Sequence, residues 1–475
     1  MYKKLLFTAI VTTLSVQPIV SADDNSTSLE ELKKEITQLK KELNSYSKIQ
    51  KSNTKEISEL YDYTEQTETL VLEDKIKFGL GYKVNMDNFK KKLANGDIVR
   101  NNAVLSSKLM LNFKADISDN MKFYSRLSMY KYWGNGRTHP YSSFDNMQGR
   151  VPSVSTLFVE RAYFDWFLNQ DGYIPVAITI GRQPTADGPS QQFKDNTTRK
   201  ATYSALLYDG ASDGVLLTLN LSNALNYKGT YLRFGYGKGY IYTESSSSIS
   251  NPFVGTTDNA LKDTNIYAVF LDTKLLNIKR SLIQVSYTRM TDVIANQLDT
   301  DTSVNTNLGN YSLWGAMLEL TNFRDTHLDL FAHYGYSVAY PNENSYRNFG
   351  GLLTAGNDDS SKAGHAYWIG ARYTLDKDQK YKIGLEYNHG TKNWVSLTHG
   401  SFDVYNKLAT RGDAYEAYIM YVINRYANIR LGYIGMDYKF TRSGCFVSPS
   451  EEISKLDTTE VDKLSSIYLK MSINY

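Results

Sequence analysis

Ile76-Lys77-Phe78-Gly79-Leu80-Gly81-Tyr82-Lys83-Val84 places an apolar side chain at every second position, with Lys or Gly between. Successive side chains of an extended strand point to opposite faces, so this stretch has one apolar and one polar face. The same two-residue period recurs to the end of the chain, where Ile467, Leu469, Met471, Ile473 and Tyr475 alternate with polar residues. Sixteen such segments can be traced, the first over 75–86 and the last over 464–475. Most approach the roughly 9–11 residues that a tilted strand needs to cross a bilayer.

The connections alternate in length. Ile117-Ser118-Asp119-Asn120, Asn169-Gln170-Asp171-Gly172, Asp376-Lys377-Asp378-Gln379 and Asn424-Arg425 are short; 87–102, 134–156, 183–212, 241–263, 292–307, 341–363, 390–411 and 441–463 are long. Short turns at one end and long loops at the other are the layout of outer-membrane barrels, and an even strand count returns both termini to the short-turn side. In hydrocarbon every edge hydrogen bond must be made, so the sheet has to close. At about sixteen strands a barrel has room for a water-filled lumen, whereas eight are filled by their own side chains. The expected fold is an all-β transmembrane antiparallel barrel of about 16 strands over 75–475, preceded by an α-helical coiled-coil segment. Aromatics at strand ends, among them Tyr130, Tyr132, Trp133, Trp166, Tyr173, Tyr336 and Tyr340, suit girdles at the two membrane interfaces. The terminal alternation ending in Tyr475 resembles the closing strand read by the barrel assembly machinery, although Phe is commoner in last place.

The N-terminus reads as a secretory signal over 1–22. Lys3 and Lys4 precede an apolar run from Leu5 to Val16, and Val20-Ser21-Ala22 offers a cleavage site. That order predicts export, and with the barrel it places the chain in the outer membrane, among its lipids and lipopolysaccharide. Removing the segment takes away two lysines and lowers the net charge from +3 to +1. So balanced a chain gives no reason to expect a nucleic-acid partner. The 38 Tyr suit a boundary between apolar surroundings and water. With Cys445 as the one cysteine, neither an intrachain disulfide nor a thiolate metal cage is available.

Between them, residues 23–70 read as a helix and linker. Ser28 and Glu31 form a capping-box pattern, and Leu29, Leu32, Ile36, Leu39, Leu43 and Tyr46 recur in steps of three and four. So narrow a seam needs a partner. The expectation is a periplasmic coiled coil joining protomers, with a homotrimer preferred; the alternative is a monomeric helix resting on, or plugging, the barrel mouth.

If the apolar faces meet lipid, the opposite faces line the bore. Lys77, Lys108, Arg126, Arg161, Arg233, Arg372, Arg430 and Lys470 then form a basic lining, joined by Lys83, Lys114, Lys122 and Lys382. Against them stand Asp165, Glu319, Asp329, Glu386 and Glu416. A basic stripe along a narrow channel raises the local anion concentration, which predicts an anion preference; the alternative is that these residues merely face water and pair across strands. The longest connection, 183–212, is the third long loop, and Gly188 and Pro189 mark a bend in it. Folded inward, it would narrow the bore and offer Arg182, Asp187, Lys194, Arg199 and Lys200 as constriction residues; folded outward, it would lie over the barrel.

The run Gly181-Arg182-Gln183-Pro184-Thr185-Ala186-Asp187-Gly188-Pro189 continues through Phe193-Lys194-Asp195-Asn196-Thr197 to Leu207-Tyr208-Asp209-Gly210 and Asp213-Gly214. With Arg126-Leu127-Ser128-Met129-Tyr130-Lys131 and Arg161-Ala162-Tyr163-Phe164-Asp165-Trp166, it resembles a family of bacterial outer-membrane β-barrel porins long grouped as a domain of unknown function. That resemblance covers nearly the whole chain and implies a signal peptide, a coiled coil, a barrel and a porin-like role, with no established substrate. The helix-then-barrel plan is also similar, in architecture only, to siderophore porins.

Catalytic and metal chemistry find little support. His327 and His333 share a strand face but lie six residues, roughly 20 Å, apart, and the other four histidines lack ligand spacing. No Ser, His and acid arrangement stands out, and no cofactor motif is present, so no enzyme activity is expected. The first expectation is a porin for small hydrophilic solutes. The alternatives are a substrate-specific uptake channel for a ferric chelate and an adhesion or structural role.

Overall fold

The alternation that begins at Ile76 becomes a hydrogen-bonded ladder running all the way round a barrel. The computed structural model describes residues 33–48, 76–133, 157–184, 187–240, 262–276, 278–298, 303–342, 350–398, 405–445 and 449–475. The strands of its first half are β1 (Ile76–Leu93), β2 (Ile98–Ser118), β3 (Met121–Tyr132), β4 (Phe158–Leu168), β5 (Val176–Pro184), β6 (Ala211–Asn220), β7 (Tyr231–Tyr240) and β8 (Thr264–Thr273). Those of its second half are β9 (Ser281–Thr291), β10 (Gly309–Leu320), β11 (Leu328–Pro341), β12 (Lys362–Thr374), β13 (Tyr381–Gly390), β14 (Gly412–Asn424), β15 (Ala427–Tyr438) and β16 (Val461–Asn474). Each is antiparallel to its neighbour, and β1 pairs with β16 from Gly81 opposite Asn474 to Leu93 opposite Val461. Leu80 and Tyr475 exchange backbone hydrogen bonds of 2.7 Å below that ladder, so the chain's last residue helps close it.

The sixteen-strand antiparallel barrel is therefore present. Its outer face carries the apolar set: Phe78 is 68% exposed and Leu385 65%, with Trp314, Ile369, Leu431 and Ile467 also bare. So large an apolar surface is not left to water. Outward aromatics pair across strands, with ring centroids 4.1 Å apart for Tyr287 and Trp314 and 5.2 Å for Tyr381 and Tyr421. Trp133, Trp166, Tyr173 and Tyr340 are among the exposed aromatics, but Tyr130 is buried on the inner face, sharing the parity of Arg126 and Ser128, so it belongs to no girdle.

Two connections differ from expectation. β1 and β2 pair through Lys92 opposite Ile98, so 87–102 is mostly ladder closed by a turn at 94–97. The run Lys90-Lys91-Lys92 reads as loop by its polarity, yet a strand that outruns the apolar belt needs no apolar face. Within 292–307, Ile294–Leu298 and Ser303–Asn307 form a separate two-stranded hairpin.

Apart from the barrel, and taken by itself, helix α1 covers 33–48. Ile36, Leu39, Leu43 and Tyr46 lie along it and all are exposed, so the apolar seam is present on this helix and is not covered by any of its own described residues. Leu29, Leu32, the extension of the seam past residue 48 and the signal at 1–22 lie outside the described residues.

Candidate functional site

Beyond β5 the described chain lies inside the bore, where Asp187 to Asp195 is almost wholly buried, as is Tyr203 to Asp209. A short helix, α2 (Gln191–Asp195), sits against the inner wall. The last carbonyls of a helix lack internal partners and carry partial negative charge. Here the wall supplies the donors. Arg372 of β12 donates to the Phe193 carbonyl at 2.6 Å, Arg430 of β15 to that of Lys194, and Asn428 to that of Asp195 at 3.4 Å. Lys382 of β13 donates to the Asn196 side chain at 2.6 Å.

Charged side chains of the loop complete the seat. Asp195 meets Lys83 of β1 at 2.7 Å and Arg430 at 3.6 Å, Lys194 meets Glu416 of β14 at 3.4 Å, and Asp187 meets Arg126 of β3 at 3.3 Å. Burial alone would raise the Asp187 carboxyl. The surrounding Lys83, Lys200, Lys108 and Arg126 outweigh it and hold the group well below the usual carboxylate range. Asp195 is held low in the same way by Lys83, Arg430 and Lys470 against its own burial.

A second loop enters beside the first. Lys407 is fully buried and its ammonium lies 2.6 Å from Glu386 and 2.7 Å from Glu416. Removing one partner of such a pair leaves an unpaired buried charge, which costs about 3–5 kcal/mol. The two loops pair with each other through a short parallel bridge, Leu397 with Tyr208 and Thr398 with Asp209. Leu206, Leu207, Trp394, Val395 and Leu408 form a core with Leu313, Phe331 and Trp368 of the wall. Inward Gly315 and Gly335 make the seats: a Cβ on Gly315 would come within 2.0 Å of Leu207, and one on Gly335 within 2.4 Å of Trp394.

Ser190, His333 and Glu319 also meet inside the bore, an encounter sequence spacing did not reveal. Ser190 donates to Glu319 at 2.5 Å, its oxygen lies 2.9 Å from His333 Nε2, and Ser204 reaches His333 Nδ1 at 2.6 Å. These bonds fit an imidazole protonated at Nε2 only. In a nucleophilic triad the acid orients the imidazole; here it binds the serine, and both Ser190 and His333 are buried under the loop. The cluster anchors the loop.

Residues 98–475 match the family described as Protein of unknown function (DUF3373). The chain belongs to this family. No protein of curated function is similar enough to match. Among solved structures, Salmonella typhi OmpF in complex with daunomycin is similar at 10% identity over 85% of this chain and 99% of that one, with a TM-score of 0.45. The high-pH structure of Pseudomonas putida OprB is similar at 13% identity over 86% of this chain and 96% of that one, with a TM-score of 0.48. The trimer form of Vibrio cholerae OmpT gives 10% identity, 84% and 99% coverage and a TM-score of 0.41.

In this DUF3373 chain the constriction candidates separate. Asp187 and Lys194 are buried in the bore, Lys200 is half-buried and Arg199 is exposed. Arg182 is not a bore residue. It shares the outward parity of Ile178 and Ile180, sits opposite Asp213 and bonds it at 3.2 Å. β5 runs on to Pro184, so Arg182 keeps strand alternation and points away from the lumen.

Of the basic lining, Lys108, Arg126, Arg161, Arg430 and Lys470 are buried on the inner wall. Lys77 is exposed at the short-turn end, 3.8 Å from Asp116. Arg233 pairs with Asp272, and Arg372 with Asp329 at 2.6 Å. The lining is more balanced than the five expected carboxylates imply, because Glu160, Asp187, Asp195 and Asp272 also face inward. Glu160 was hidden by a bulge: Arg126 pairs with Arg161 but Leu127 with Val159, so Glu160 and Arg161 both turn inside. Glu160 lies 3.0 Å from Lys108. At the other end of the chain, Ile467, Leu469 and Met471 face outward beside β1 and Tyr475 is exposed, while Ile473 is half-buried.

Proposed function

We propose that this chain is an outer-membrane channel for small hydrophilic solutes, narrowed by the inward loop. The carrying observation is the ion-paired band of wall and loop side chains inside a closed barrel whose outer face is apolar. A barrel serving only as an anchor needs an apolar belt but has no use for a desolvated charge band across its bore. The signal at 1–22 would deliver it, the closing strand ending in Tyr475 would present it to the assembly machinery, and lipid and lipopolysaccharide would cover it. Lysines and arginines still outnumber carboxylates around the loop, which supports a modest anion preference. A second reading, a dedicated uptake channel for a ligand such as a ferric chelate, is favoured by the apolar core of two loops that fills part of the bore.

Planar-bilayer recording on the purified full chain tests the reading. Discrete steps with a reversal potential on the anion side are expected. Asp195→Asn, which removes the charge that pairs with Lys83 and Arg430, should raise step size or open-channel noise. Silent insertion of correctly folded protein would overturn the channel.

A further inference from the structure

Arg161 is at most 8% exposed, yet its Nε and Nη2 hydrogen-bond to nothing among the described residues. These two nitrogens share one edge of the guanidinium, the edge that grips two oxygens of a carboxylate or phosphate in parallel. Leaving it bare is costly, since an unsatisfied buried charged donor loses its hydration with no return. The setting adds to the anomaly. Arg161 of β4 stands directly opposite Arg126 of β3 on the inner face, and like charges in that position repel. The nearby carboxylates are turned to other cations, Glu160 to Lys108 at 3.0 Å and Arg126 at 3.5 Å and Asp187 to Arg126 at 3.3 Å, although Glu160 Oε1 and Asp187 Oδ1 accept no hydrogen bond among the described residues.

The next inward positions towards the short turns, Tyr163 on β4 and Tyr124 on β3, are half-buried and stack with centroids 5.2 Å apart. The Lys114 ammonium lies 5.9 Å from the Tyr124 ring, and Lys122 lies below on the same face. The inner face between the short-turn mouth and Arg161 thus carries Lys114 paired with Asp116 at 3.6 Å, Lys122 opposite Asp165 and the two stacked rings, and the unbonded guanidinium edge beyond them is buried.

We propose that Arg161 is the principal donor of an oxyanion-binding site on the bore wall, gripping the phosphate or carboxylate group of a passing solute through Nε and Nη2. The site rests on the reading of the bore as a solute path and names the class of solute it would favour. An anion there would satisfy the guanidinium edge and relieve the Arg126–Arg161 repulsion together.

Binding of inorganic phosphate to the detergent-purified full chain tests this by calorimetry and by the rise in Tm, against acetate and against chloride at matched ionic strength. Phosphate and acetate should both bind, and chloride should not reproduce the effect. Arg161→Gln should weaken phosphate by about tenfold or more, the scale of losing charge-assisted hydrogen bonds. Arg161→Lys keeps the charge but loses the planar edge; it should fold even if Arg161→Gln does not, and should also bind phosphate more weakly than wild type. Unchanged affinity in Arg161→Lys, equal effects of chloride and phosphate, or no phosphate effect on wild type would each overturn the site. The assay needs no conduction, so a silent channel that binds phosphate would remove the channel reading and leave the site standing.

Discussion

Lys200, half-buried on the inward loop, carries its ammonium at a cost. Burial, with Lys83 and Arg126 nearby, outweighs the attraction of Asp187 and brings its pKa down to about 8. The folded value lies below the ordinary one, so the penalty is fully felt below pH 8 and relieved as pH rises above it. Between pH 7 and pH 9 Lys200 gives up its positive charge. The reversal potential in a salt gradient should therefore shift towards cations over that window, and Lys200→Met should start at pH 7 nearer the shifted value and change less than wild type between pH 7 and pH 9. A wild-type potential flat from pH 7 to pH 9 would contradict the placement of Lys200. At this scale the sequence was legible wherever strict alternation held: Lys83, Lys108, Arg126 and Arg430 all face the bore as their parity requires. Glu160 was not legible, because a bulge breaks parity, and Arg182 was misplaced by ending its strand too early. Nothing local told Asp195 or Lys407 that distant wall charges would receive them.

Strands were the most readable elements, because one face of each must satisfy hydrocarbon and a shift of one residue would turn every side chain the wrong way. Leu385, near the middle of β13, tests that face. Leu385→Lys should cost about 2–4 kcal/mol in a bilayer, read as a lowered midpoint in urea unfolding from lipid vesicles. An ordinary surface position of a water-soluble protein would change by about 0.5 kcal/mol or less. The β1–β2 hairpin shows where legibility stops, since the part of a strand that leaves the apolar belt carries no pattern to read. Helix α1 poses a different question. Its bare seam should be the interface of an assembly, so Leu39→Asp with Leu43→Asp should reduce the particle mass measured by light scattering in detergent to that of one chain. An unchanged oligomer would place the interface elsewhere.

For the molecule as a whole, closure was predictable from strand number and edge satisfaction, but the filling of the bore was not. Tyr311, Leu313, Phe331 and Trp368 point inward, where a water-filled lumen would call for polar residues, and they do so because loop residues cover them. A run with apolar residues on both faces was therefore the available sign that something packs inside the barrel there. The loop also bears on how the barrel opens. Asp195 touches Lys83 on β1 and Arg430 on β15, the two strands flanking β16. It thus clasps from within the ladder where the first and last barrel strands meet. Parting that ladder would bare two rows of backbone groups and leave Asp195 facing an unpaired cation. Such a clasp, formed only once the ring is complete, slows unfolding more than it speeds folding, and it makes the junction of first and last strands hard to unzip sideways.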